Sequence, residues 1–219
     1  MTPSPSNRPY AVRYNRGQTV YHEGNPALSL FKLETGLVRI SKLTPNGRTL
    51  TVRHVLPGDY FGEETFNGQR HEHQVEALTD ATISSLDPKV IDNENLHLVT
   101  RSLSNQLQRA MAFEYHLQVG DLRQRVARYL VHLSTTPLGG VNEQGHAFVQ
   151  CTHELIAEGT SSTRESVSKS ITELRFEGLL ESGYRRITLL NIPALQEIAQ
   201  ANDLTATENK PKLSSGSQV

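Results

Sequence analysis

The chemistry most readable in this 219-residue sequence lies between Ser161 and Leu174, Ser161-Ser162-Thr163-Arg164-Glu165-Ser166-Val167-Ser168-Lys169-Ser170-Ile171-Thr172-Glu173-Leu174. Val167, Ile171 and Leu174 recur at the spacing of one buried helix face. Arg164, Glu165, Ser168 and Lys169 fall on the other side. Ser162 and Glu165 have the separation of a capping box, so a helix is expected to start there. An arginine in the first turn of such a helix can bond guanine O6 and N7 together, and a glutamate beside it can accept from cytosine N4. Lys169, one turn on, can reach another base edge or a phosphate. Ser162 and Thr163 complete the polar surface. Downstream, Leu179 to Leu190 reads as two strands around a glycine turn, a wing that would hold Arg185 and Arg186 beside a phosphate backbone. Upstream, residues 152–160 read as a short capped helix. Two short helices, a tight turn and a wing make a winged helix-turn-helix, whose partner is double-stranded DNA.

Other chemistries are poorly provided for. The single cysteine, Cys151, cannot make an internal disulfide, a Cys₄ zinc site or an all-cysteine iron–sulfur cluster, and is expected to pack as a small apolar residue. His71-Glu72-His73 with Glu76 has the His-x-His spacing that points two rings to one face of a strand, as a cupin-like metal-binding β-roll would use. An exposed charged turn is the preferred reading there, and no metal is expected. No nucleophile–base pair or phosphate loop stands out, so no enzymatic activity is expected. The net charge of −1 excludes a strongly basic nucleic-acid coat but permits one basic surface. No stretch approaches the ~20 apolar residues that cross a bilayer, and the first residues lack the apolar core of a secretion signal. A cytoplasmic protein without a membrane partner is the expectation.

The elements that must position the DNA-reading residues follow from the pattern. From Arg13 to about Leu86, short strand-like runs such as Leu37 to Leu43 and Leu50 to Val55 alternate with turns. Asn46-Gly47 suggests a type I′ hairpin, with both residues at positive φ. Such a pattern suggests a β jelly roll. From Leu96 to Leu117 no proline or glycine intervenes, and Leu96, Leu103, Ala110 and Leu117 recur every seven residues with Leu107 between them. That is a coiled-coil-like seam on which two copies of the chain could pair, while Val99 and Phe113 would face the roll. Gly120 interrupts the helix before a small C-terminal domain. The fold class is α+β. Its expected parts are a flexible start at 1–9, a roll at 10–94, a dimerisation helix at 95–120, a winged helix-turn-helix at 121–200 and a disordered tail at 201–219.

Arg164 to Lys169, Leu174 to Leu180 and Pro57-Gly58-Asp59-Tyr60-Phe61-Gly62-Glu63 together resemble the cyclic-AMP receptor protein / fumarate-nitrate regulator family, over about Tyr10 to Ala199. Arg53 to Glu64 resembles in particular its SdrP-type stress-response activators. The resemblance implies a homodimeric transcription regulator, mainly an activator, that recognises a TGTGA-like palindrome through Arg164, Glu165 and Lys169. It also implies contact with RNA polymerase, through residues 137–145 and the Asn46-Gly47 hairpin. Family members often place glycine in the helix-helix turn, where Ser161 stands. In the cyclic-AMP-binding members a Gly-Glu pair holds the ribose and an Arg-Ser pair the phosphate. Gly62-Glu63 matches the first; the second falls at His71-Glu72, with Arg70 adjacent, and Ala110-Met111 stands where adenine would need hydroxyls. Cyclic AMP is therefore expected to bind weakly, in an altered pose, or not at all, and no cofactor is required; a cyclic-AMP-dependent regulator with an altered pocket is the alternative.

Overall fold

The computed structural model describes the backbone of residues 10–208 and the side chains of residues 10–200. The N-terminal part is built of β1 (Tyr10–Tyr14), β2 (Thr19–Tyr21), β3 (Leu30–Thr35), β4 (Val38–Leu43), β5 (Thr49–Val55), β6 (Tyr60–Phe61), β7 (Gln74–Ala77) and β8 (Ala81–Leu86). They form two four-stranded antiparallel sheets, in the orders β1-β8-β3-β6 and β2-β7-β4-β5. Leu33, Val38, Ile40, Val55, Phe61 and Val75 are buried in the roll's own core.

The β4–β5 hairpin corrects the expected turn. Only Gly47 has a positive φ, 78°, and Asn46 does not. Pro45 fixes its own φ near −65°, which suits the first central position of a turn in which Asn46 follows at negative φ. The Gly47 amide then bonds the Thr44 carbonyl at 2.9 Å, and the left-handed step passes to glycine. The result is a longer hairpin loop than type I′ allows.

Helix α1 (Asn93–Gln118) begins at Asp92, whose carboxylate accepts from the Asn95 amide. It docks on β6 through polar groups as well as Val99. The Tyr60 amide donates to Ser102 Oγ at 2.9 Å, Gln106 Nε2 donates to the Tyr60 carbonyl at 2.6 Å, and Arg109 pairs with Asp59. The Asp59-Tyr60 portion of the family-like motif thus clasps the long helix to the roll.

The C-terminal domain holds α2 (Leu122–Ser134), β9 (Gly139–Val141), β10 (Ala147–Val149), α3 (His153–Gly159), α4 (Arg164–Phe176), β11 (Leu180–Gly183), β12 (Arg186–Leu189) and α5 (Ile192–Glu208). Asp121 and Gln124 make a complete capping box at the start of α2. The domain core includes Val126, Leu130, Ile156, Val167, Ile171 and Leu174, and Leu37 and Leu78 of the roll join it. Cys151 is buried in that core, and burial pushes its thiol up to about 12. The backbone of α5 is helical to Glu208, so the segment expected to be disordered from residue 201 starts as helix. Residues 1–9 and 209–219 lie outside the described residues.

Candidate nucleic-acid interface

The first helix of the pair, α3, is capped by Thr152 Oγ1, which accepts from the Leu155 amide. Gly159, near its end, lies against α2 so closely that a Cβ there would stand 2.1 Å from the Tyr129 ring. Ser161 turns the chain in the left-handed region at φ 50°, and the Ser162 amide then closes α3 on the Ala157 carbonyl. Because Ser162 is used in ending α3, α4 starts one residue later than the capping-box spacing suggests. Its N-cap is Thr163, whose Oγ1 accepts from the Ser166 amide at 3.2 Å.

Along α4, Val167, Ser170, Ile171 and Leu174 are buried, whereas Arg164, Glu165 and Lys169 are exposed at its N-terminal half. Ser162 and Thr163 are half-buried just before them. Ser168 is more committed: its hydroxyl donates to the Arg164 carbonyl, and His153 Nδ1 lies 2.8 Å from it. His153 Nε2 is 3.5 Å from Ser182 Oγ, so one imidazole braces α3, α4 and β11. Burial, then Arg164, lowers the His153 pKa below its ordinary value. Sequence patterning alone does not mark this brace, since a lone histidine at a helix start has no periodic signal.

The wing is the β11–β12 hairpin, in a sheet ordered β11-β12-β10-β9. Gly183 pairs with Arg186, so the turn consists of Tyr184 and Arg185 rather than a glycine. Arg185 adopts φ 51° and is exposed. Arg186 is also exposed, and its guanidinium stacks on the Phe148 ring at 3.7 Å, which fixes its direction. The β9–β10 hairpin had no expected counterpart; Gly139-Gly140 reads as a breaker until it pairs with Phe148 and Val149.

The roll holds this module directly. Arg39 of β4, nearly buried, pairs with Glu76 at 2.9 Å and with Glu158 of α3. Burial opposes its charge, but the two carboxylates outweigh it and raise its pKa.

The residues matched to a cyclic-nucleotide site are otherwise engaged. Glu63 pairs with Arg53 at 2.6 Å, and Gly62 begins a 3₁₀ turn at φ 81°. Arg70 donates to the Gly24 carbonyl, and Glu72 is exposed. His71 is buried, stacked on Tyr21 with ring centroids 3.6 Å apart, and its Nδ1 is 3.4 Å from Glu64. His73 approaches the same Glu64, while Glu76 faces Arg39, so the His71-Glu72-His73-Glu76 set does not converge. Among the described residues no group of three or more histidine, cysteine, aspartate or glutamate side chains could hold a metal.

On α1 the seven-residue repeat drifts. An α-helix slips about 20° per heptad against a 3.5-residue repeat, so from Leu96 to Leu117 the row rotates by roughly 60°. Leu96 is exposed, Leu103 packs beside Leu30, Tyr60 and Val99, and Ala110 and Leu117 line a half-open cavity against the rest of the chain. Leu107 and Met111, 61% and 62% exposed, lie with Leu96 on the open face.

Known proteins carry the same combination. Residues 11–94 match the cyclic nucleotide-binding domain and residues 124–198 the Crp-like helix-turn-helix domain. The chain is 49% identical over 187 residues to the transcriptional regulator LdrP of Thermus thermophilus, covering 85% of this chain and 95% of that one. It is 35% identical over 192 residues to the transcriptional regulator SdrP of the same species, covering 87% and 94%. The crystal structure of a CRP-family transcriptional regulator from Thermus thermophilus superposes with a TM-score of 0.84 at 48% identity, covering 86% of this chain and 96% of that one. A roll clasped to a long helix, a helix pair with a polar outer face and these relatives converge: the chain belongs to the CRP/FNR family of transcription regulators.

Proposed function

We propose that two copies of this chain pair along α1 and read a TGTGA-like palindrome, mainly as an activator in a stress response, without requiring cyclic AMP. The observation that carries the reading is the division of α4, whose apolar face is buried while Arg164, Glu165 and Lys169 stand clear of the protein. Arg185 and Arg186 flank them from the wing and would add salt-dependent affinity through phosphates. Pairing would run along the open face of α1, through Leu96, Leu107 and Met111. It must set the two α4 helices about 34–36 Å apart, one turn of DNA.

Independence from cyclic AMP is supported by the Arg53–Glu63 pair, by the buried His71 where a phosphate anchor would stand, and by Ala110 in place of a hydroxyl. Contact with RNA polymerase is assigned to residues 137–145 and the Asn46-Gly47 hairpin. The stress-response and activator roles rest on the resemblance to SdrP-type proteins. Fluorescence anisotropy with a labelled TGTGA palindrome, a scrambled duplex, and cyclic AMP present or absent tests the reading. The palindrome should bind at least about a thousandfold more tightly than the scramble, with or without the nucleotide. Equal affinity for both duplexes under both conditions refutes sequence reading; discrimination only with cyclic AMP refutes independence.

A further inference from the structure

A cavity of about 370 Å³ lies where the roll, α1, α2 and the end of α3 meet; it adjoins the nucleotide-matched positions at Arg53, the partner of Glu63, and at Ala110, but Gly62, Glu63, Arg70, His71 and Glu72 are not in its lining. Leu56, Phe113, Leu117 and Val131 give it apolar walls. Among the described residues its lining holds four arginines, three histidines and no carboxylate. Two of those arginines are neutralised from outside the lining, Arg53 by Glu63 and Arg109 by Asp59. Arg125 is different. Its Nη1 donates to the Gly120 carbonyl at 3.1 Å, its Nε has no hydrogen-bond partner, and it pairs with no carboxylate among the described residues.

The unpartnered Arg125 Nε is buried and can only donate, so an anion is the group that suits it. Buried polar atoms are rarely left so, because each costs the hydration it has lost. Successive residues turn by about 100° on a helix, which places Gln106, Phe113 and Leu117 about a third of a turn from Leu107 and Met111. Pairing along the open face therefore leaves the cavity side of α1 to its own chain.

We propose that this cavity is a binding site for a small carboxylate with an apolar body, its head on Arg125 and its body against Leu56, Phe113 and Leu117. Such a ligand would touch the roll, the long helix and the DNA-binding domain at once. The site is independent of how the protein reads DNA, and binding is measured without DNA.

Isothermal titration of the full chain with octanoate, octanamide and acetate tests it. Octanoate should bind once per chain, octanamide about tenfold or more weakly, and acetate not at all, because charge-assisted bonds and apolar burial are both needed. Arg125→Gln should weaken octanoate about tenfold while leaving octanamide unchanged. Should that variant fail to fold, Leu117→Trp, which fills the cavity, should abolish octanoate binding in a protein with an unchanged circular-dichroism spectrum. No heat of binding at millimolar octanoate overturns the proposal. So does equal affinity for octanoate and octanamide, or octanoate binding unaltered in a folded variant.

Discussion

Arg164 and Glu165 occupy the first turn of α4, the part of a recognition helix that, on the proposed reading, would enter the major groove. Replacing either by alanine should cost about 1–3 kcal/mol on the cognate duplex and relax preference at one base pair per half-site. Lys169→Ala should instead weaken all duplexes alike if its partner is a phosphate. Binding to a panel of single-base variants separates these outcomes; uniform loss in the Arg164 and Glu165 variants would remove their base-reading role. Ser161 holds a left-handed conformation that L side chains adopt at a cost. Ser161→Gly should stabilise the protein by about 0.5–1 kcal/mol, seen as a raised urea midpoint with an unchanged slope. The polar face of α4 is legible in the sequence because period and residue type coincide there. The identity of the cap is not: Ser162 and Thr163 are chemically interchangeable as caps, and the choice depends on where α3 releases its last carbonyl, a three-dimensional matter. Asn46 misleads likewise, since Pro45 outweighs the Asn-Gly preference.

At the scale of elements, the long helix is visible in an unbroken run of residues and the roll in its spaced turns. What strict heptad counting obscures is direction. The straight helix carries Leu103 onto the roll and Leu117 into the cavity, so a double substitution at Leu107 and Met111 is the cleaner probe of pairing. Leu107→Lys with Met111→Lys should give a folded monomer by light scattering, because neither side chain contributes to the protomer's buried core. Persistence of the dimeric mass would exclude that face. The β9–β10 hairpin stays illegible because its strands are three residues each and two of the residues are glycines. Such short strands are stabilised by the sheet they join, not by their own propensity.

At the scale of the molecule, the joint between roll and DNA-binding domain is polar and buried. His54 of β5 stands 3.3 Å from the Tyr129 hydroxyl and 3.4 Å from His132 Nε2, both on α2. Burial, then the nearby His132 and Arg39, holds its pKa down to about 3. Burial also lowers His132, helped by Arg109 and His116. The unfolded chain takes up a proton at His54 below about pH 6.5 that the folded chain refuses until about pH 3, so stability declines as pH falls through that window. The slope is up to about 1.4 kcal/mol per pH unit for one such group. His54→Gln should flatten the decline between about pH 7 and pH 5 in chemical denaturation, and an unaltered slope would assign the acid sensitivity elsewhere. No feature of the sequence connects His54 to His132, or Arg39 to Glu158; these couplings exist only once the two domains are folded against each other.

The guanidinium shared by Glu76 and Glu158 gives each protomer its own compass. The bearing of the reading helix is set inside one chain, by a roll strand, before any second copy arrives. In the proposed dimer, association would contribute only an axis of symmetry, and a loosened joint would misalign both readers equally, leaving an intact pair that no longer fits the repeat of the double helix.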